Sequence, residues 1–260
     1  MTRPVWPVRP GPLQQVQLSA HRCLTRAAVE RALALDVDFV EFDVERCGDG
    51  TLVVFHDSVV EVDGEEVELA SMTVAELRSV VPDLLLYDEV LDALAGNRRA
   101  HLDLKFVGSC AEATARAVDR LGAENLVVTT LDDDAVREVR DWAEAQGIDL
   151  LVGLSLGRKV TGFPVWRQLR VRASEVWPHL RYRQSRANVV VAHHWLARAG
   201  LAGFARRRGM PLLVWTIDTP RSLEHWLRPG RAWLVTTNRP EEALGVRERV
   251  GSRRRPARGV

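Results

Sequence analysis

The chain has 260 residues, enough for one barrel-sized domain or two smaller ones, and its 46% hydrophobic and 27% charged content is that of a globular protein with a sizeable core. Thirty-six basic against 35 acidic side chains leave a formal net charge of +1, which gives no basis for nucleic acid or any other generic polyanion as a partner. Three cysteines, Cys23, Cys47 and Cys110, without C-x-x-C spacing argue against a disulfide framework and against a thiolate zinc site.

Residues 1–13 are rich in Pro and basic side chains and read as a flexible arm; they lack the apolar stretch of a secretory signal, so the expected compartment is the cytoplasm. No apolar run approaches the roughly 18 residues needed to cross a bilayer. From residue 14 to 250 short β-branched or Leu-rich runs alternate with helical patterns, the rhythm of a parallel sheet with crossover helices. The expected strands are VQLSA (16–20), FVEFDV (39–44), AHLDLKF (100–106), NLVVTT (125–130), DLLVGLSL (149–156), ANVVVA (187–192), PLLVWTI (211–217) and AWLVTT (232–237). Helical patterns lie between them, and one, DDDAVREVRDWAEAQ, opens on acids that suit a helix N-terminus. After the second strand a Gly-Asp-Gly turn predicts that TLVVF folds back as a hairpin, followed by a compact excursion with two short helices, TVAELRSVV and YDEVLDALA. The fold class is therefore α/β, a (β/α)8 TIM barrel with a hairpin and short insertion after strand 2. The alternative, an open doubly wound sheet, has no G-x-G-x-x-G fingerprint or P-loop to support it. Residues 251–260 read as a basic, disordered tail.

In such a barrel the chemistry sits at the C-terminal ends of the strands. There the sequence places His21 and Arg22, Glu41 and Asp43, Asp103 and Lys105, His193 and His194, Trp215, and Thr237 with Asn238. Glu41 and Asp43 are two positions apart, so both carboxylates point to one face of the strand. Side by side among Phe39, Val40, Phe42 and Val44 they repel each other unless a cation lies between them. Oxygen ligands of this type suit Mg²⁺ or Ca²⁺.

These segments resemble, in order, the motifs of the glycerophosphodiester phosphodiesterase family. AHR at 20–22 stands where the family has A/H-R-G, and FVEFDVERCGDGTLVVFHD at 39–57 where it has an E-x-D strand, a D-G turn and a strand ending in His-Asp. HLDLK at 101–105, VWTID at 214–218 and VTTNRP at 235–240 stand where it has E-x-K, WT-x-N and I-T-D-R-P. The resemblance implies Glu41, Asp43 and Asp103 as ligands of a divalent cation, Arg22 and Lys105 as the grip on the phosphate oxygens, and Trp215 as a wall of the pocket. It implies His21 and His56 as the acid–base pair, with His21 nearer the nucleophile and His56 as general acid, an assignment the residues themselves leave open. Asp57 either orients His56 or closes the hairpin turn, the latter being the favoured reading. The implied substrate is a small glycerophosphodiester or a lysophospholipid, cleaved to an alcohol and a phosphomonoester.

Four departures accompany the resemblance. Cys23 replaces the Gly after His-Arg, where a positive φ would suit Gly better, and the E-N-T triplet that opens the family's first helix is missing. The third ligand is Asp103 rather than Glu, an arrangement also similar to sphingomyelinase D-like phospholipases, which form a cyclic phosphate. Asp218 and Asn238 stand where the family has Asn and Asp, altering charge at the rim. The stretch from Arg158 to Arg186 carries eight basic residues and one acid; it reads as a solvated helix, or as a cover that attracts an anionic substrate or a lipid–water interface. A third possibility for the whole chain is a non-catalytic barrel that binds phosphorylated ligands. His101, His179 and His225 carry no motif, and His193 and His194 read as structural.

Overall fold

The computed structural model describes residues 15–157 and 178–252. Eight parallel strands form a closed ring: β1 (Gln17–Ala20), β2 (Phe39–Arg46), β7 (Arg99–Leu104), β8 (Leu126–Thr130), β9 (Leu151–Leu156), β10 (Val189–His193), β11 (Leu212–Trp215) and β12 (Leu234–Thr237). The ring closes where Ser19 and Ala20 of β1 pair with Phe39 and Val40 of β2. Each predicted barrel strand is present, and the chain is a (β/α)8 TIM barrel.

Alternation along the strands divides the side chains into two populations. On β2, Val40, Phe42 and Val44 point outward into the main core, which they share with the surrounding helices. Phe39 points inward, joining Val127, Val189, Val191, Leu213, Trp233 and Leu234 in a separate core inside the barrel. Phe39 meets Trp233 edge to face, with ring centroids 5.8 Å apart. Phe39→Ala is expected to destabilise the fold by about 3–5 kcal/mol, the usual cost of emptying a buried aromatic site. A shift in the urea midpoint without a change in slope would show it.

The helices begin where local chemistry satisfies their first amides. Thr25 caps α1 (Arg26–Ala34) by accepting from the Ala28 N–H, so the helix forms directly after the turn that follows β1, without the missing triplet. The helix of the acidic segment, Asp133–Ala145, is capped by Asp132, which accepts from the N–H groups of Asp134 and Ala135. A last helix, Pro240–Ser252, which the sequence reading omitted, closes the outer ring. Its Arg247 is buried and donates to Asp38 at 2.5 Å, while Asp38 accepts from the Leu18 N–H, tying the end of the barrel to β1 and β2.

The excursion after β2 is richer than expected. β3 (Leu52–Val54) folds back antiparallel on β2 as predicted, and β6 (Leu85–Leu86) extends it on the far side. Between them β4 (Val59–Val62) and β5 (Glu65–Glu68) form a second hairpin across Asp63 and Gly64, both at positive φ. The two predicted short helices are present at Val74–Val80 and Tyr87–Leu94. Cys47, Val53, Leu69, Met72, Leu77 and Leu84 give the excursion its own small core. His56 and Asp57 lie in the link between β3 and β4, and the excursion thus carries them to the barrel mouth. Among the described residues no helix is long and apolar enough to cross a membrane. Residues 1–14, most of the basic stretch (158–177) and residues 253–260 lie outside the described residues.

Candidate active site

The inward faces change character from bottom to top. Two positions above Phe39 comes Glu41, then Asp43, then Glu45; on β7 His101 is followed by Asp103. Register places Asp43 beside Asp103 on β2 and β7, and Asp103 beside Thr129 on β8. These residues, with His21, Arg22, His56, Lys105 and Trp215, line a cavity of about 480 Å³ at the C-terminal mouth. All eight sequence-predicted site residues are brought to it.

Glu41 and Asp43 are 2% and 1% exposed, and one carboxylate oxygen from each of Glu41, Asp43 and Asp103 lies within 4.8 Å of the others. Burial, followed by repulsion from Asp43 and Asp103, raises the pKa of Glu41 well above its ordinary value; the Arg22 N–H, donating to its Oε2 at 2.5 Å, offsets this in part. Burial also raises that of Asp43, against the pull of Lys105. Asp103 goes the other way. Burial works to raise its pKa, but the Lys105 ammonium and the Thr129 hydroxyl, which donates at 2.7 Å, bring it below the ordinary value. Lys105 donates to Asp103 and, at 2.8 Å, to Asp43, and the two carboxylates overcome desolvation to raise its pKa. Asp43 Oδ2 is buried and has no hydrogen-bond partner among the described residues.

Three hard oxygen donors, one of them orphaned and two destabilised as anions, fit a divalent cation. Glu45, which sequence reasoning did not single out, is buried with its pKa pushed from 4.5 up to about 7 by desolvation. A carboxyl with a raised pKa holds its proton more tightly folded than unfolded, so its contribution to stability is lost as pH rises. Glu45→Gln removes that cost, so its melting temperature in chelator is expected to gain on that of wild type as pH rises from about 4.5 to 7; His21 and His101, whose pKa values burial lowers, act the other way in the same window and drop out of the comparison. The lowered pKa of Asp103 acts below its ordinary 3.8, outside that window. Melting curves of both proteins in chelator at stepped pH check this; a difference that stays flat or shrinks through the window would contradict it.

The two histidines stand on opposite supports. His21 follows β1, and its Nδ1 lies 2.8 Å from Asn238 Oδ1 while Nε2 lies 3.9 Å from Glu41 Oε2. Burial lowers its pKa, against the opposing pull of Asn238 and Asp43. His56 Nδ1 lies 2.7 Å from Asp57 Oδ1, and its Nε2 lies 2.5 Å from Arg22 Nη2. Because guanidinium nitrogens only donate, Nε2 accepts, and the proton on His56 sits at Nδ1 facing Asp57. Asp57 thus orients His56, contrary to the favoured expectation that it closes the turn.

The strained backbone lies one residue earlier than expected. Arg22, not Cys23, takes positive φ (+55°), which aims its N–H at Glu41; Cys23 is buried and its N–H donates to the Glu41 carbonyl. His101, given no role from sequence, lies beneath the carboxylates: it is buried, contacts Ser19 Oγ at 3.3 Å and Thr129 Oγ1 at 3.1 Å, and burial pushes its pKa to about 3, so it is neutral. His193 stacks edge-on against Trp215, with centroids 5.3 Å apart.

A closed α/β barrel with clustered carboxylates, a half-buried lysine and two histidines at its C-terminal mouth defines a barrel hydrolase of the phosphodiesterase type. Residues 21–242 match the model of the glycerophosphoryl diester phosphodiesterase family. The chain belongs to that family and is a phosphoric diester hydrolase. No curated protein sequence gives a significant match. Among solved structures, a candidate glycerophosphoryl diester phosphodiesterase from Silicibacter pomeroyi is 21% identical, with a TM-score of 0.74, covering 94% of this chain and 96% of the other. A glycerophosphodiester phosphodiesterase from Parabacteroides distasonis is 20% identical, with a TM-score of 0.69 and coverage of 93% and 99%. A phosphodiesterase from Oleispira antarctica, solved with the product sn-glycerol-3-phosphate, is 18% identical, with a TM-score of 0.65 and coverage of 90% and 97%.

Proposed function

We propose that the chain hydrolyses glycerophosphodiesters, or lysophospholipids, to an alcohol and a phosphomonoester such as glycerol 3-phosphate, using a divalent cation and the His21–His56 pair. The observation that carries this reading is the convergence of Glu41, Asp43 and Asp103 beside Lys105, with both histidines opening onto the same cavity. The Oleispira neighbour holding sn-glycerol-3-phosphate supports the substrate class.

Glu41, Asp43 and Asp103 would hold Mg²⁺ or Ca²⁺. When bound, that cation neutralises the charge that builds on the phosphoryl oxygens. Arg22 and Lys105 bind the same oxygens, the first as a fork and the second as a point charge. Turning Arg22 to the phosphate frees His56 Nε2, and with Asp57 holding the Nδ1 proton, any proton His56 gives or takes passes through Nε2. His21 Nε2 accepts a proton from the attacking water as its oxygen bonds to phosphorus. His56, once it has taken up a proton from solvent at the freed Nε2, donates that proton to the leaving alkoxide as the P–O bond breaks, and His21 returns the one it took to solvent, which balances the step. Trp215 closes one side of the cavity.

The test is release of phosphomonoester from a panel of glycerophosphodiesters, with and without chelator. Turnover is expected to vanish on chelation and return with Mg²⁺ or Ca²⁺; turnover that persists without any divalent ion overturns the reading. The Asp-Leu-Lys pattern at 103–105 favours a second reading, attack by a substrate hydroxyl to form a cyclic phosphate. Phosphorus NMR of the product separates the two.

A further inference from the structure

We infer that Asp218 and Asn238 are positioning residues that decide which ring nitrogen of His21 faces the reacting atoms. The inference rests on the reading of His21 as the proton acceptor, and deepens it. Asp218 follows β11, Asn238 follows β12 and His21 follows β1, so the three side chains sit on neighbouring strand ends along one arc of the rim.

The chain of hydrogen bonds has only one consistent direction. Asp218 Oδ1 accepts from the Asn238 backbone N–H at 2.9 Å and from the Thr237 hydroxyl at 3.2 Å, which anchors the carboxylate. Its Oδ2 lies 2.7 Å from the Asn238 side-chain amide. A carboxylate only accepts, so the amide must turn its NH₂ toward Asp218 and its carbonyl oxygen away. That oxygen is the atom 2.8 Å from His21 Nδ1. A carbonyl has no proton to give, so Nδ1 donates, and the lone pair of the neutral ring is left on Nε2, on the side of Glu41. Remove Asp218 and the amide is free to rotate by half a turn, presenting NH₂ to His21 and reversing the tautomer. The sequence motifs compared above have Asn and Asp at these two places. Here the pair is exchanged, which keeps the amide–carboxylate contact and sets a neutral acceptor against His21.

The test combines a spectroscopic and a kinetic readout on the full chain. Nitrogen-15 NMR of histidine-labelled protein in chelator, with His21 assigned by comparison with His21→Gln, should show its proton on Nδ1. Asp218→Asn and Asn238→Ala should each give mixed tautomers and lower kcat by about 10- to 100-fold, the usual cost of losing the partner that orients a functional histidine, with little change in KM. The double substitution Asp218→Asn/Asn238→Asp, which rebuilds the amide–carboxylate pair in reverse, should restore a single tautomer and most of kcat. If Asp218→Asn fails to fold, Asn238→Ala at its exposed position carries the same test. An unchanged tautomer in the single variants, or a double variant no better than either single one, overturns the inference. Full turnover by His21→Gln instead overturns the role of His21 as base and leaves the tautomer result to be judged by NMR alone.

Discussion

Glu41→Gln is expected to reduce turnover by about 10³-fold or more while making the metal-free protein more stable. The loss follows from the proposed ligand role: a cation held by two carboxylates instead of three forfeits several kcal/mol of charge stabilisation in the transition state. The gain follows from the electrostatics of the site without a cation. Glu41 is 2% exposed, and burial together with Asp43 and Asp103 raises its pKa, so ionising it costs folding free energy that an amide of the same shape does not incur. The Arg22 N–H, now donating to Glu41 Oε2, keeps an acceptor in the amide oxygen. Melting curves in chelator and with saturating Mg²⁺ or Ca²⁺ check both halves. Wild type should gain stability from the cation and Glu41→Gln should gain much less. A variant that melts lower than wild type in chelator, or that keeps wild-type turnover, would falsify the assignment.

The second large effect is at His56. His56→Ala should lower kcat by about 10²- to 10⁴-fold, the range that a positioned acid–base group contributes, with cation-induced stabilisation retained because His56 is not among the clustered carboxylates. Asp57→Ala should act in the same direction but more weakly, since it removes the hydrogen bond at 2.7 Å that orients the ring and leaves the ring itself in place. A substrate with a better leaving group than an alkoxide needs less protonation, so the His56→Ala defect should shrink on a nitrophenyl phosphodiester. An equal defect on both substrates would place His56 outside leaving-group protonation.

The barrel strands were legible because each is a run of apolar residues bounded by turn chemistry, and eight such runs in alternation with helical patterns leave little choice of topology. The strands of the excursion were not. EEVE at 65–68 is exposed and charged, and β6 is two residues long, so neither carries a periodic signal; the Asp-Gly pair at 63–64 was the cue for the second hairpin. The final helix was missed because its pattern, PEEALGVRERVGS, lies beyond the last strand and has a weak apolar face. In the site, residues quoted from motifs were found, whereas Glu45, His101 and Thr129 were not. The missing signal was parity: a residue two places from a known inward-facing carboxylate on the same strand faces inward too, which selects Glu45 from Asp43 and His101 from Asp103. Thr129 needs the register between β7 and β8, which no single-strand pattern contains. Asp57 was misjudged because its partner is the adjacent side chain, and sequence alone cannot separate a turn-closing acid from an orienting one.

Lys105 bonded to both Asp43 and Asp103 has a consequence for the order in which ligands arrive. An internal ammonium already balances part of the buried negative charge, so the barrel can fold with no cation among the carboxylates. On the proposed reading, the same ammonium cannot grip a phosphate while it is engaged by two carboxylates, and an ion entering among them releases it. Cation and phosphodiester are then linked ligands, each tightening the binding of the other by the same factor. On that reading the barrel is a two-key lock in which Lys105 is the tumbler.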